Sequence, residues 1–415
     1  MSIQVNSNKN ILFFYVITWW LLSTGIFLFT YIPSTNQLVL KVIIPLLLLA
    51  VIVKERAIRF DKGLGLYSAM FLWACLSIFY TVNINMTLQY LQMLLGNIIV
   101  WYIAARCVKK INDIKVLSYP LFFAFLVQLY FGLTTKIQIA INPVNRGLER
   151  VSGLSPNSND EGRLLVFGIV TLLLLMSYLR NKTYNVLGII LVCCFYIAIF
   201  RTGSRSSLIA VTLIIISYVF LLSKKKNYTL LIATIIIFFV LYHFLSDYIL
   251  TNTVMGRRLE LAAEHGEQNI RVLLIKEGWQ FFVSHPIFGL GLGSFTSYST
   301  GHYYSHNDYI EMLASLGLPA FILYMSIFLD YRRKDKKLFQ KVSGYYKGVI
   351  VLSQAFIFGY LALGIWDPSF YYPATTLMFA FFYSLVDKIY YQYSMTEKYK
   401  VSLPSSALKK VKMII

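Results

Sequence analysis

Charge and cysteine are both scarce in this chain of 415 residues. Only 13% of its residues are charged, whereas 58% are hydrophobic and 16% aromatic. A water-soluble fold cannot hide that much apolar surface, because the surface left wet needs polar cover. Bilayer is the solvent that suits such a composition. The four cysteines (Cys75, Cys107, Cys193, Cys194) lie in apolar runs or at their ends. They show no Cys-x-x-Cys or zinc-finger spacing, which excludes a redox motif and a structural zinc site of those kinds. There is neither an internal repeat nor a low-complexity tract. A cleavable signal is not expected either, since residues 1–10 are polar and the apolar run behind them is too long for a signal-peptide core.

Long apolar runs are what the sequence has instead. Twelve can be read, at 11–31, 37–53, 64–82, 87–108, 116–134, 164–179, 185–200, 206–222, 228–245, 309–329, 346–365 and 374–387. Only helices and closed barrels satisfy every backbone group in lipid. Runs of this length without two-residue alternation predict helices. The expected fold is an all-α polytopic membrane protein, one integral domain over residues 1–415 with about twelve spans.

The formal net charge of +20 would suggest a nucleic-acid partner if it were spread evenly. It is not. Most of the 38 lysines and arginines fall in one alternating set of connections: Lys54 to Lys62, Arg106 to Lys115, Arg180 and Lys182, Lys224 to Lys226, Arg332 to Lys347, and the tail at 388–415. That side is expected to be cytoplasmic, with both termini on it. Nucleic-acid binding is not needed to account for the charge, and attraction to the anionic inner leaflet accounts for the basic tail. The two long connections, at 135–163 and 246–308, then lie outside. In the larger one, Leu259, Ala262 and Ala263, then Ile270, Leu273, Leu274, Trp279 and Phe282, recur at helical spacing. This pattern predicts short amphipathic helices over the mouth of the bundle. Residues 287–295 read as a glycine turn.

The outer side carries the residues with chemical potential. Arg201 and Arg205 sit in the tight turn between the seventh and eighth runs, about 28 Å by helix rise from Lys182 and Lys224. That depth is the headgroup boundary, where a lipid-linked phosphate would lie and where an arginine fork grips oxygens bidentately. Interfacial anchoring is the plainer reading of the same position. All five histidines fall in one outer stretch, and His306 opens His306-Asn307-Asp308 just before a span. A neutral imidazole there could accept a proton from a sugar hydroxyl, while Asn307 and Asp308 also fit an ordinary helix cap. His302 and His306 are four apart, but the Glu of His-Glu-x-x-His is missing and no metal is expected. Asp160 and Glu161 look like first-turn helix acids.

Taken in order, these segments resemble the O-antigen ligase and polymerase family of bacterial envelopes, over roughly residues 153–329. The match consists of Ser155-Pro156-Asn157, the Ser204-Arg205-Ser206 turn and Arg271 with Trp279. It continues through His285-Pro286 and the glycine turn, then His306-Asn307 and a span containing Gly317. The resemblance implies a glycosyltransferase acting on undecaprenyl-diphosphate-linked oligosaccharide at the outer leaflet of the cytoplasmic membrane. It implies no cofactor, nucleotide sugar or metal. Arg205 and Arg271 would hold the diphosphate, and His306 would activate the attacking hydroxyl. Arg201, Arg163 and Asn307 would contact diphosphate or glycan. A polysaccharide polymerase is the expected member of the family, with a ligase as the alternative and a chain-length regulator as a candidate partner. A flippase is the third reading. It fits less well, because polar groups within the runs are few (Asn97, Gln128, Gln354) and no charge lies clearly at mid-membrane.

Overall fold

The apolar runs fold as helices, and their ends are set by local capping and by proline. A computed structural model describes residues 2–135, 138–139, 149–179, 182–222, 270–366 and 370–402. Its principal helices are α1 (Ser2–Phe27), α2 (Pro33–Leu38) continuing through a π segment into α3 (Ile44–Glu55), α4 (Lys62–Cys75), α5 (Ile84–Lys110), α6 (Ile114–Thr134), α7 (Ser158–Leu179), α8 (Lys182–Thr202) and α9 (Arg205–Leu222). Beyond these come α10 (Ile270–Ser284), the short α11 (Phe295–Tyr298), α12 (Asp308–Phe339), α13 (Gly344–Trp366) and α14 (Pro373–Ser402). Asp61, Asn83 and Asp113 cap α4, α5 and α6 by accepting backbone N–H bonds, which supplies partners for the orphan donors of each first turn. A two-residue antiparallel bridge pairs Gln138 with Arg150 and Ile139 with Glu149.

Among the described residues, ten helices are long and apolar enough to cross a membrane. They coincide with the first eight runs read from the sequence and with those at 309–329 and 346–365. The run at 228–245, and the part of the large loop at 246–269, lie outside the described residues. The run at 374–387 opens α14, which packs along α5 and α1. One boundary needs correction. The basic stretch after residue 329, expected as a connection, stays helical to Phe339. Asp330 and Lys334 are paired within the bundle: Lys334 Nζ lies 2.7 Å from both Asp330 and Asp387, Lys62 reaches Asp330 at 3.0 Å, and Lys109 reaches Asp387 at 2.9 Å, while Arg332, Arg333, Lys336 and Lys337 face outward. This alternation of signs ties α4, α5, α12 and α14 at one end, where unpaired charges would be costly.

The layout that positions the outer residues depends on a break in α12. Gly317 adopts φ 74°, ψ −174°, and Pro319 follows it. A regular helix would send Leu318 N–H to Ala314 and the next N–H to Ser315. Here Leu318 N–H donates to Pro286 O at 2.8 Å, and Pro319 has no N–H. The released carbonyls find donors elsewhere: Leu290 N–H donates to Ala314 O at 2.8 Å, Gly291 N–H to Ser315 O at 2.9 Å, and Trp73 Nε1 to Leu316 O at 2.9 Å. The expected glycine turn is therefore a backbone plug for the broken helix, and every partner it supplies keeps a buried polar group satisfied. Trp73 also stacks on Phe288 at 5.3 Å.

Candidate functional site

Three separate segments converge next to this plug. Arg205 is the first residue of α9, Arg271 lies in the first turn of α10, and His306 directly precedes α12. With Ile209, Val272, Ile275, Ile365 and Trp366 they line one cavity of about 350 Å³. Its wall is apolar apart from two guanidiniums and an imidazole. Arg271 Nη1 also reaches Trp366 O at 3.4 Å.

His306 is held by its neighbours rather than by bonds to its own ring. Its backbone is left-handed, with φ 53°, a conformation that costs a non-glycine residue energy and persists only when the surroundings impose it. Ser305 N–H donates to Glu311 Oε2 at 2.9 Å, and Ser305 Oγ–H donates to Asn307 O at 2.9 Å. Asn307 Oδ1 accepts from the N–H groups of Tyr309 and Ile310, and its Nδ2 donates to Ile365 O at 2.8 Å. The ring packs against Tyr304 with centroids 4.0 Å apart, and its buried Nδ1 has no hydrogen-bond partner among the described residues. Burial, and then the positive charge of Arg271, push the imidazole pKa down to about 3. The ring is neutral at physiological pH and carries an available lone pair.

The other expected residues are distributed differently. Arg201 ends α8 and turns away from the cavity: its guanidinium donates to Gly132 O at 2.9 Å, Thr135 O at 3.2 Å and Leu133 O, clasping the carbonyl end of α6. Asn307 is the N-cap of α12. Arg163 Nη2 lies 3.1 Å from Asp160 Oδ1, Nη1 donates to Thr375 Oγ1 at 3.2 Å, and the guanidinium sits 5.2 Å over the Tyr372 ring. Trp279 is half exposed and packs at a tilt against Phe282, with centroids 5.4 Å apart, outside the cavity lining.

One residue was missed in the sequence reading. Arg150 Nε donates to Thr202 O at 2.9 Å and Nη2 to Asn159 Oδ1 at 2.8 Å, while the next N–H, of Val151, donates to Arg201 O at 3.2 Å. This double strap lays Arg150 on the turn that precedes Arg205. Burial, then the charges of Arg271 and Arg205, push its pKa down to about 10. Three arginines are therefore close enough to repel one another, and such a concentration of positive charge invites an anion. The only sequence signal was its place among the arginines of the loop at 135–163. Among the described residues, no group of three His, Cys, Asp or Glu side chains is arranged to hold a metal ion.

Known proteins match this region. Residues 189–325, which include Arg205, Arg271 and His306, match the family model described as O-Antigen ligase. The "Teichuronic acid biosynthesis protein TuaE" of Bacillus subtilis (strain 168) is 25% identical over 329 residues, covering 71% of this chain and 66% of that protein. The chain thus spans just under two thirds of that relative's length. A solved chain from a study titled "Structural coordination of polymerization and crosslinking by a peptidoglycan synthase complex" aligns at a TM-score of 0.49 and 12% identity, covering 80% of this chain and 98% of that one. The helices define a multi-pass membrane protein. The family model and the relative support the O-antigen ligase/polymerase family, membrane enzymes of polysaccharide biosynthesis.

Proposed function

We propose that this chain is a polysaccharide polymerase of about twelve spans in the cytoplasmic membrane. It joins undecaprenyl-diphosphate-linked oligosaccharide units on the extracytoplasmic side, without a cofactor or metal. The observation that carries this reading is the shared cavity of Arg205, Arg271 and His306. In the reaction, the bond between the anomeric carbon and the diphosphate oxygen breaks as a bond to an acceptor hydroxyl oxygen forms. The electron pair leaves with the diphosphate, and the hydroxyl proton passes to His306. Arg205 and Arg271 stabilise the charge as it develops, and Arg150 adds to the same field. The apolar walls keep the local dielectric low, so each of these interactions counts for more than it would in water. A one-step displacement of this kind inverts the anomeric carbon.

Ligase activity is the second reading, favoured by the description of the matching family model. The envelope glycan profile of a deletion strain separates the two. Single-repeat caps in place of long chains are the expected result; long chains left on the carrier lipid would assign a ligase, and an unchanged profile would refute both.

His306 also predicts an unusual pH dependence. With its pKa near 3 in the unliganded protein, the base stays deprotonated far below neutrality, so kcat/KM should show no acid limb near 6.5. A bound diphosphate brings negative charge beside the imidazole, favours its protonated form and raises its pKa. The acid limb of kcat should therefore lie at higher pH than that of kcat/KM. Coincident limbs near 6.5 would rule out His306 as the buried base.

A further inference from the structure

A second cavity, of about 530 Å³, is lined by Ile11, Phe14, Ala50, Val53, Lys54 and Arg56. We propose that it seats one anionic phospholipid, with an acyl chain between α1 and α3 and the headgroup phosphate held by Lys54 and Arg56. The site stands apart from glycan transfer and does not depend on that reading.

Its place follows from the local sequence. The connection after α3 leads within six residues to Lys62, which pairs with Asp330, and Asp330 lies toward the other end of α12 from His306. The cavity is therefore at the opposite end of the bundle from the arginines. Among the described residues, Pro33–Glu55 is the least buried of the ten spans, so a flank of α3 faces lipid. Ile11 and Phe14 are about one turn apart on α1, as are Ala50 and Val53 on α3, and each helix thus gives an apolar face to the slot. Ala50 brings only a methyl group to a stretch, at 46–53, that is otherwise leucine, valine and isoleucine. It leaves room that a larger side chain would fill.

The charges at the mouth are arranged for an anion. Lys54 and Arg56 are both exposed, and among the described residues neither has a carboxylate partner. The acid between them, Glu55, is already taken: it accepts a hydrogen bond from the Tyr15 hydroxyl and lies 3.6 Å from Lys110 Nζ. Lys54 Nζ reaches across the slot to stand 5.8 Å from the centre of the Phe14 ring on α1. Arg56 closes α3 in a left-handed conformation, φ 54°, a position usually given to glycine. Cations also complement the carbonyl end of a helix, but that effect needs no apolar slot beneath them. Four apolar walls match an acyl chain, and two unpaired cations at their polar end match a phosphate diester. A soluble anion would leave the walls bare. A zwitterionic lipid carries its own cation beside the phosphate, which these side chains repel. The chemistry selects a phospholipid whose headgroup is net negative.

The test uses the full-length protein in detergent, with dioleoyl phosphatidylglycerol and dioleoyl phosphatidylcholine as probes and native mass spectrometry to read the lipid retained. Wild type should hold phosphatidylglycerol about thirtyfold more tightly, about fivefold for each cation. Lys54→Gln combined with Arg56→Gln should abolish that preference. Arg333→Gln combined with Lys336→Gln removes the same charge from the same end of the bundle, outside the slot, and should keep it. Equal loss in both pairs would mean general attraction to a basic surface and would overturn the proposal. Ala50→Trp retains both cations but fills the slot, and should weaken phosphatidylglycerol retention about tenfold or more. Where tryptophan lowers the melting temperature without lipid, Ala50→Leu asks the same question with less bulk. Unchanged retention in the filled slot would overturn the proposal, as would a wild type with no preference between the two lipids. Glycerol 3-phosphate should not displace the lipid; if it does so at equal concentration, the site binds a free phosphate ester and the lipid assignment fails.

Discussion

Replacing Arg271 or Arg205 with alanine should lower glycan transfer at least about a hundredfold, the usual cost of removing one preplaced group that stabilises developing charge. Membrane abundance should stay close to that of wild type. Both side chains line a cavity rather than a packed core, so truncation enlarges an existing space and leaves no new void sealed among helices. The effect should appear in kcat as well as KM, because the diphosphate carries more charge when it departs than when it is bound as an ester. Purified protein assayed in EDTA with lipid-linked units is the direct measurement. Variants that keep more than a tenth of the wild-type rate would show that these guanidiniums are not the leaving-group clamp. Arg201→Ala serves as the internal contrast. Its guanidinium is committed to the carbonyls of Gly132, Leu133 and Thr135, so its loss should reduce stability more than turnover by correctly folded protein.

Gly317→Ala should prevent normal accumulation of the protein. A Cβ at residue 317 would stand 2.1 Å from Ile287 O and 2.9 Å from Pro286 O, with φ at 74°. Neither obstacle is the flexible end of a side chain. Both are backbone, and the Pro286 carbonyl already accepts the Leu318 N–H. Backbone strain and the clash together should cost roughly 3 kcal/mol or more. Gly289→Ala should behave similarly, since its Cβ would meet the Ser315 carbonyl carbon at 2.4 Å. Gly344 provides the control: it also has positive φ, at 64°, but open space where a Cβ would go, so alanine there should cost only about 1 kcal/mol. Membrane abundance and thermal melting of the detergent-solubilised protein would rank the three. Equal behaviour of Gly317→Ala and Gly344→Ala would mean that the contact between the turn and α12 carries no special weight.

Helices were legible in the sequence because apolar runs in lipid leave the backbone few alternatives. The end of α12 was misread because Asp330, Lys334 and Asp335 look like an exposed basic connection. Asp330 and Lys334 are neutralised by Lys62 on α4 and Asp387 on α14, and Asp335 accepts from Ser353 on α13; partners on other helices cannot be seen in a local window. The ordered motif from Arg205 to His306 pointed to residues that share one cavity. The two turn arginines could not be told apart, because counting from the inner lysines gives both the same depth. What separates them is direction around the turn: Arg201 finishes α8 facing α6, and Arg205 starts α9 facing α10 and α13. Arg150 was missed because its position depends on bonds to residues 201 and 202, some fifty positions away in sequence. Asn307 was readable as a cap from its place before the span, and it is one.

The interruption at Gly317 also divides α12 mechanically. The stretch at 308–316 is fastened to the segment at 286–291 and to Trp73, whereas the stretch beyond Pro319 belongs to the lattice of alternating charges at the opposite end of the bundle. A joint at this place should absorb tilting that accommodates thicker or thinner lipid. Transfer rates measured in bilayers of different thickness should then vary little, because the imidazole would keep its register with the two guanidiniums.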